Sequence, residues 1–310
     1  MTGLPDDYFI YPHRRRGLDH GFYPHRNLAE APRVTWPGGK PMALWVAVHV
    51  GHFPLDMSNK PFPVPGGMER PYPSYWDYTQ RDYGNRVGIF RLLRALSARG
   101  LRATALTSAV LATRHPALLR HMRDAGWEVA AAGLDMGRVH HAGLAEAEER
   151  AMVEEAMALL TEGGARPTGW HSPAHSQSLN TLSLVAEAGA RYVTDWVNDD
   201  LPYRVTTPAG PLLSLPLNWD LSDQRMLFQQ HMATEEYADA VRAARDQLLT
   251  EATSSGGGRI LCVTITPWVM GHPHRMAAFE ALLDDLLAGG KVWPATGAEI
   301  AAHWQAANPA

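Results

Sequence analysis

From Met42 to Val48 every residue is apolar (MALWVAV) and most are β-prone, which predicts a strand buried on both faces rather than one shared between core and water. His49, Val50, Gly51 and His52 form its C-terminal end. The period then becomes helical. Val87, Phe90, Leu93 and Leu96 share one face between Asn85, read as an N-cap, and Gly100, read as the stop. Alternation continues to the end of the chain. Strands are predicted at Leu101–Leu106, Trp127–Ala131, Pro167–Trp170, Tyr192–Asp195, Leu212–Pro216, Ile260–Thr266 and Val292–Pro294. Helices are predicted at Ser108–Ala125, with a break near Pro116, and at Leu144–Glu162, Asn180–Ala188, Thr234–Glu251, Arg275–Leu287 and Gly297–Trp304. Strands separated by helices imply a parallel sheet with crossover connections, and about seven such repeats favour an α/β fold closed into a barrel.

Two stretches lack any period. Residues 1–41, rich in Pro, Gly, Arg and aromatics, read as an irregular arm laid over a single body of residues 42–310. Phe53–Tyr83 is too long for an ordinary connection. Both are too apolar to stand free in water, so they are expected to pack at a subunit interface of a homo-oligomer, covering or shaping a pocket.

Charge narrows the partners. Lys+Arg 28 against Asp+Glu 32 gives −4, which supplies no field for a nucleic-acid backbone or an anionic membrane. No apolar run reaches the roughly 18 residues of a membrane span, and residues 1–16 lack a leader's apolar stretch. The single cysteine, Cys262, excludes an intramolecular disulfide and a Cys-rich zinc site, and inside a buried strand it reads as inert core. A cytoplasmic enzyme of small molecules is the expectation. No phosphate-binding or nucleotide-binding loop occurs in a strand-turn-helix context, so no cofactor is expected.

In folds of this kind ligands sit just past the strand C-termini. His49 projects there as a candidate acid/base, an imidazole being able to take and give a proton near neutrality. Asp135 could orient a histidine or polarise a substrate N–H; it could equally be a surface turn residue. Asp195, Asp199 and Asp200 surround Trp196, either as an acidic cluster or as caps of a turn. Trp170, Trp196, Trp219 and Trp268 all follow strands and would make an aromatic pocket for a planar or apolar small molecule. His52, His171 and Thr266 complete the expected lining. His140-His141 and His272-Pro273-His274 read as loop or interface residues.

Five segments add a family resemblance: Arg81-Asp82-Tyr83-Gly84-Asn85-Arg86-Val87-Gly88, Gly126-Trp127-Glu128-Val129-Ala130-Ala131, Gly169-Trp170-His171-Ser172-Pro173, Asp199-Asp200-Leu201-Pro202 and Pro267-Trp268. In order and spacing the chain resembles the polysaccharide deacetylase-type (NodB-homology, carbohydrate esterase family 4) proteins, closest in style to their intracellular allantoinase-like branch. The resemblance spans nearly the whole chain and implies a distorted (β/α) barrel of about seven parallel strands. It further implies an acidic pair after the first strand, one a base and one a metal ligand, two metal-binding histidines after the third, and a late catalytic histidine. Those positions are held here by His49 and Gly51, by Ala132 and Met136, and by Thr266. Glycine, alanine and methionine offer no hard donor, so no metal is expected at the mouth unless other histidines rebuild a site, for example His49 with His52 and His171.

Three readings follow. The first is a repurposed, metal-independent enzyme in which His49 with Asp135 or Asp195 moves protons inside the aromatic pocket, for isomerisation, cyclisation, elimination or cleavage of an activated C–N bond. The second is a C–N hydrolase or deacetylase, metal-free as in the allantoinase-like branch or with a rebuilt histidine metal site. The third is a barrel that binds a small molecule without turnover.

Overall fold

The computed structural model describes residues 20–57, 62–63, 69–70 and 72–309. The first strand, β1 (Met42–Val50), is followed by a short hairpin, β2 (Phe62–Pro63) and β3 (Glu69–Arg70), and by α1 (Tyr75–Tyr83), which passes through a π-turn (Gly84–Gly88) into α2 (Ile89–Ser97). Next come β4 (Thr104–Thr107), α3 (Leu111–Arg114), α4 (Pro116–Asp124), β5 (Glu128–Ala131) and α5 (Glu146–Glu162). They lead to β6 (Gly169–Trp170), α6 (Thr181–Glu187), β7 (Tyr192–Val193) and a hairpin of β8 (Tyr203–Thr207) and β9 (Gly210–Ser214). The last elements are α7 (Thr234–Ser255), β10 (Arg259–Ile265), α8 (Pro267–Met270), α9 (Pro273–Leu287), β11 (Val292–Ala295) and α10 (Gly297–Ala307).

The main sheet runs β10-β1-β4-β5-β6-β7-β9-β8, parallel throughout except for the β8–β9 hairpin. Among the described residues, seven mutually parallel strands of this path, with β11 added in parallel beside the start of β1, therefore curl into the distorted barrel. On one side β1 pairs with β10; on the other, its first residues pair with β11 and its last with β4.

Strand parity decides what faces the interior, because successive side chains point to opposite faces. On β1, Met42, Leu44, Val46, Val48 and Val50 join the core under the helices, whereas Ala43, Trp45 and Ala47 pack inside the curled sheet. The next inward positions are His49 and Gly51. The same parity sends Ile260 and Cys262 of β10 and Ala130 of β5 inward. Cys262 is buried and free, and burial pushes its thiol up to about 12. A polar floor closes the opposite end. Trp45 Nε1 donates to Thr104 Oγ1 (2.9 Å), and Glu128 accepts from Thr104 (2.8 Å), from the Tyr192 hydroxyl (2.6 Å) and from the Ala298 N–H at the start of α10 (3.0 Å).

Three readings of the sequence need correction. Asn85 caps no helix; it lies within the π-turn and its side-chain amide donates to the Gly51 carbonyl (3.0 Å), while Ser74 caps α1. The strand β8 was hidden because its residues alternate around Pro202 and Pro208 and resemble a turn-rich loop. His140 lies in a loop as expected, but not at the surface: its side chain is fully buried against Glu149, 3.0 Å away. Of the arm, residues 1–19 lie outside the described residues, as do 58–61, 64–68 and 71 of the Phe53–Tyr83 stretch. The rest of the arm packs on its own chain. Val34 and Trp36 are buried, the Val34 carbonyl accepts from Gly258 N–H (2.6 Å), and Trp36 Nε1 donates to the Arg259 carbonyl (2.9 Å).

Candidate active site

At the C-terminal ends of the strands lies a cavity of about 520 Å³, within the range of small-molecule sites. Its polar wall is His49 from the end of β1, His171 after β6, His175 from the turn beyond it, and Asp195 after β7. Trp219, Trp268, Phe53 and Met136 form the apolar wall, and Thr266 follows β10. Among the described residues no lysine or arginine lines the cavity. Arg81 stands behind the wall instead, paired with Asp77 and stacked on the rings of Phe53 (4.7 Å) and Trp268 (5.5 Å).

The imidazoles form a row. His49 and His171 meet edge to face at 4.9 Å between ring centres, His171 and His175 at 4.6 Å, and His175 lies against Trp219 at 5.5 Å. Each ring is held differently. His171 Nδ1 lies 3.0 Å from Thr194 Oγ1, and His175 Nδ1 donates to the Asp195 carbonyl (3.2 Å). The Nε2 atoms of His49 and His175 are buried without a hydrogen-bond partner among the described residues. An unmet buried polar atom costs about 1–3 kcal/mol, and both of these belong to residues that line the same cavity. Burial, with His175 nearby, pulls His49 down to about 3, and burial lowers His171 and His175 as well.

Asp195 is anchored by three donors: the Ser172 N–H (2.6 Å), the Ser172 hydroxyl (2.9 Å) and the Gln177 amide (2.6 Å). Burial nevertheless pushes its carboxyl up to about 6. The turn carrying His175 is strained: Ala174 (φ 57°) and His175 (φ 55°) are consecutive left-handed residues without a glycine. Such residues cost on the order of 1–3 kcal/mol each and persist where the surroundings enforce them. A second clamp shapes the far wall. Asp223 accepts from the backbone N–H groups of Thr266 (2.8 Å) and Met270 (3.1 Å), tying the turn that carries Thr266 and Trp268 to the segment that carries Gln224 and Gln229.

Asp223 yields a pH prediction. Burial raises its carboxyl from 3.8 to about 7, with Arg275 and Tyr237 as its charged or titratable neighbours. The folded chain holds this proton more tightly than the unfolded one, so the associated stability is complete below the unfolded value and is lost as pH rises through about 7. Asp223→Asn keeps an acceptor for both N–H groups and removes the titration. Urea unfolding between pH 5 and 8 should show wild-type stability falling by about 2–3 kcal/mol relative to the variant. Equal slopes in the two proteins would contradict this.

Of the residues expected at the site, His49, Asp195, His171, Trp219, Thr266 and Trp268 line the cavity. Four others do not. Asp135 pairs with Arg138 (2.7 Å) and accepts from Gly137 N–H (2.9 Å). His52 takes part through its backbone, its N–H donating to Ser108 Oγ (3.0 Å) and its carbonyl accepting from Met136 N–H (2.9 Å). Trp170 faces the helical layer and donates to Ser172 Oγ (2.9 Å). Trp196 packs against Phe22 and Tyr23 of the arm. His175 and Gln177 were absent from the expected site; the four-residue step from His171 was the available signal for the first.

The positions that bind metal in the resembled family do not fit an ion here. Gly51 and Ala132 carry no donor, and Met136 lies against Gly51, its Cγ 3.5 Å from where a β-carbon there would stand.

Comparison with known proteins agrees with the fold. Residues 80–193 match the polysaccharide deacetylase family. The structure of Puue allantoinase superposes with a TM-score of 0.81 at 28% identity, covering 93% of this chain and 99% of that one. A polysaccharide deacetylase-type protein of Pseudomonas aeruginosa PAO1 superposes at 0.79, again at 28% identity, over 93% and 100% of the two chains. A Schizosaccharomyces pombe protein described as a polysaccharide deacetylase of this type is 23% identical over 293 residues, 88% of each chain. With its curled parallel sheet, the chain is similar in fold to the polysaccharide deacetylases, and residues 80–193 match that family.

Proposed function

We propose that the chain is a small-molecule hydrolase that opens an amide- or ureide-type C–N bond in the strand-end cavity. The observation that carries this reading is the placement of His49, whose buried Nε2 has no hydrogen-bond partner among the described residues, in the wall of a compact, largely apolar cavity. Similarity to an allantoinase over 93% of the chain supports the same bond class. A volume of about 520 Å³ suits a small molecule better than a long hydrated glycan.

The chemistry is proton transfer around an acyl carbon. Water adds its oxygen to the carbonyl carbon, His49 takes one water proton and delivers it to the departing nitrogen, and the C–N bond breaks to an acid and an N–H product. Asp195, fixed by Ser172 and Gln177, orients the donors of the bound molecule. Incubating the protein with a panel of linear and cyclic amides and ureides should convert at least one member to a product heavier by one water, read by mass spectrometry. Ligands that bind in the cavity and are recovered unchanged across the panel would overturn the reading in favour of a binding protein without turnover.

A further inference from the structure

We propose that His171, His175 and Asp195 form a site for a divalent transition ion of the zinc class, displaced across the barrel mouth from the positions that the family's own metal would use. A ring nitrogen of each histidine and a carboxylate oxygen of Asp195 lie within 4.8 Å of one another. Two nitrogens and one oxygen with an open fourth position is a donor set that zinc accepts in catalytic sites. Bonds of about 2.0–2.2 Å put tetrahedral donors about 3.4 Å apart, so the three must close by roughly an ångström, a small rotation of side chains at a cavity surface.

The surroundings are those of held ligands. His171 and His175 are both held through Nδ1, by the Thr194 hydroxyl and the Asp195 carbonyl, and His171 Nδ1 also lies 3.4 Å from Asp195 Oδ1, so both rings are fixed beside the carboxylate. The Nε2 of His175 is buried and has no partner among the described residues. Asp195 is oriented by three outer donors, the kind of support that ligating carboxylates receive. The left-handed pair Ala174 and His175 bends the chain back so that His175 returns to the cavity beside His171. An expectation of a metal-free mouth built on Gly51, Ala132 and Met136 does not reach these residues.

Binding of the ion goes beyond the hydrolase reading; only its use to activate water beside His49 rests on that reading. The full-length protein, stripped by dialysis against chelator, should bind one Zn²⁺ per chain by calorimetry and elemental analysis, and Co²⁺ in its place should give visible d–d absorption. His175→Asn tolerates the left-handed backbone and should weaken Zn²⁺ binding by at least about 100-fold, beyond the 10–100-fold that outer contacts are worth. His171→Asn should do the same, each with an unchanged far-ultraviolet circular dichroism spectrum, while His274→Ala leaves binding intact. Sub-stoichiometric zinc, no visible cobalt bands, or loss shared equally by His274→Ala would overturn the site. Zinc bound without hydrolysis of any panel member sinks the hydrolase and leaves the site; hydrolysis by a protein that binds no zinc does the reverse.

Discussion

His49→Ala is expected to slow hydrolysis by about 10²- to 10⁴-fold, the usual worth of a positioned acid/base group, while the protein stays folded. The geometry explains both halves. His49 is the last inward side chain of β1 before Gly51, so it stands at the cavity rather than in the packed interior below it. Its Nε2 makes no hydrogen bond among the described residues, so removing the imidazole breaks none of those at that atom and relieves one unmet buried nitrogen. The lost packing offsets that relief, and the melting temperature should move by only a few degrees. Turnover measured at saturating substrate, alongside a thermal melt, separates the two. A rate within threefold of wild type would remove His49 from the chemistry.

Trp45→Ala is expected to have the largest effect on stability, a loss of about 3–5 kcal/mol. Trp45 has essentially no exposed surface and fills the curled sheet beneath the cavity. Its N–H ends on Thr104 Oγ1, which also accepts from Gly297 at the start of α10 and donates to Glu128. Alanine would leave a void the size of an indole and one fewer donor in a buried polar floor. Trp293, only partly buried at the barrel base, provides the contrast: Trp293→Ala should lose clearly less. Urea denaturation of both variants reads the difference, and a loss below about 1 kcal/mol for Trp45→Ala would show that the floor can collapse.

The elements legible in the chain were those whose side chains carry an unambiguous period. The apolar run of β1, the crossover helices and the break at Pro116 all follow from local chemistry, and so does the position of the cavity beyond the strands. What stayed hidden depends on contacts distant in sequence. Nothing local says that Asn85 reaches the Gly51 carbonyl, or that Ala174 and His175 adopt left-handed backbone without glycine. Parity offered one signal: Trp170 ends β6 and His171 follows it directly, so in extended backbone the two point to opposite faces, and the structure sends Trp170 to the helical layer. Asp135 and Asp195 looked alike as acids after strands, yet Arg138 claims the first and the cavity borders the second.

An indole can only give a hydrogen, never take one. Because Trp196 presents its N–H to the Gln177 carbonyl oxygen at 2.9 Å, that carboxamide has just one admissible orientation, and its NH₂ end is forced onto Asp195. Trp196 itself meets Phe22 and Tyr23 edge to face, so aromatic packing against the arm helps dictate which end of an amide the carboxylate meets. Residues that never touch the occupant of the cavity thereby set the polarity it encounters.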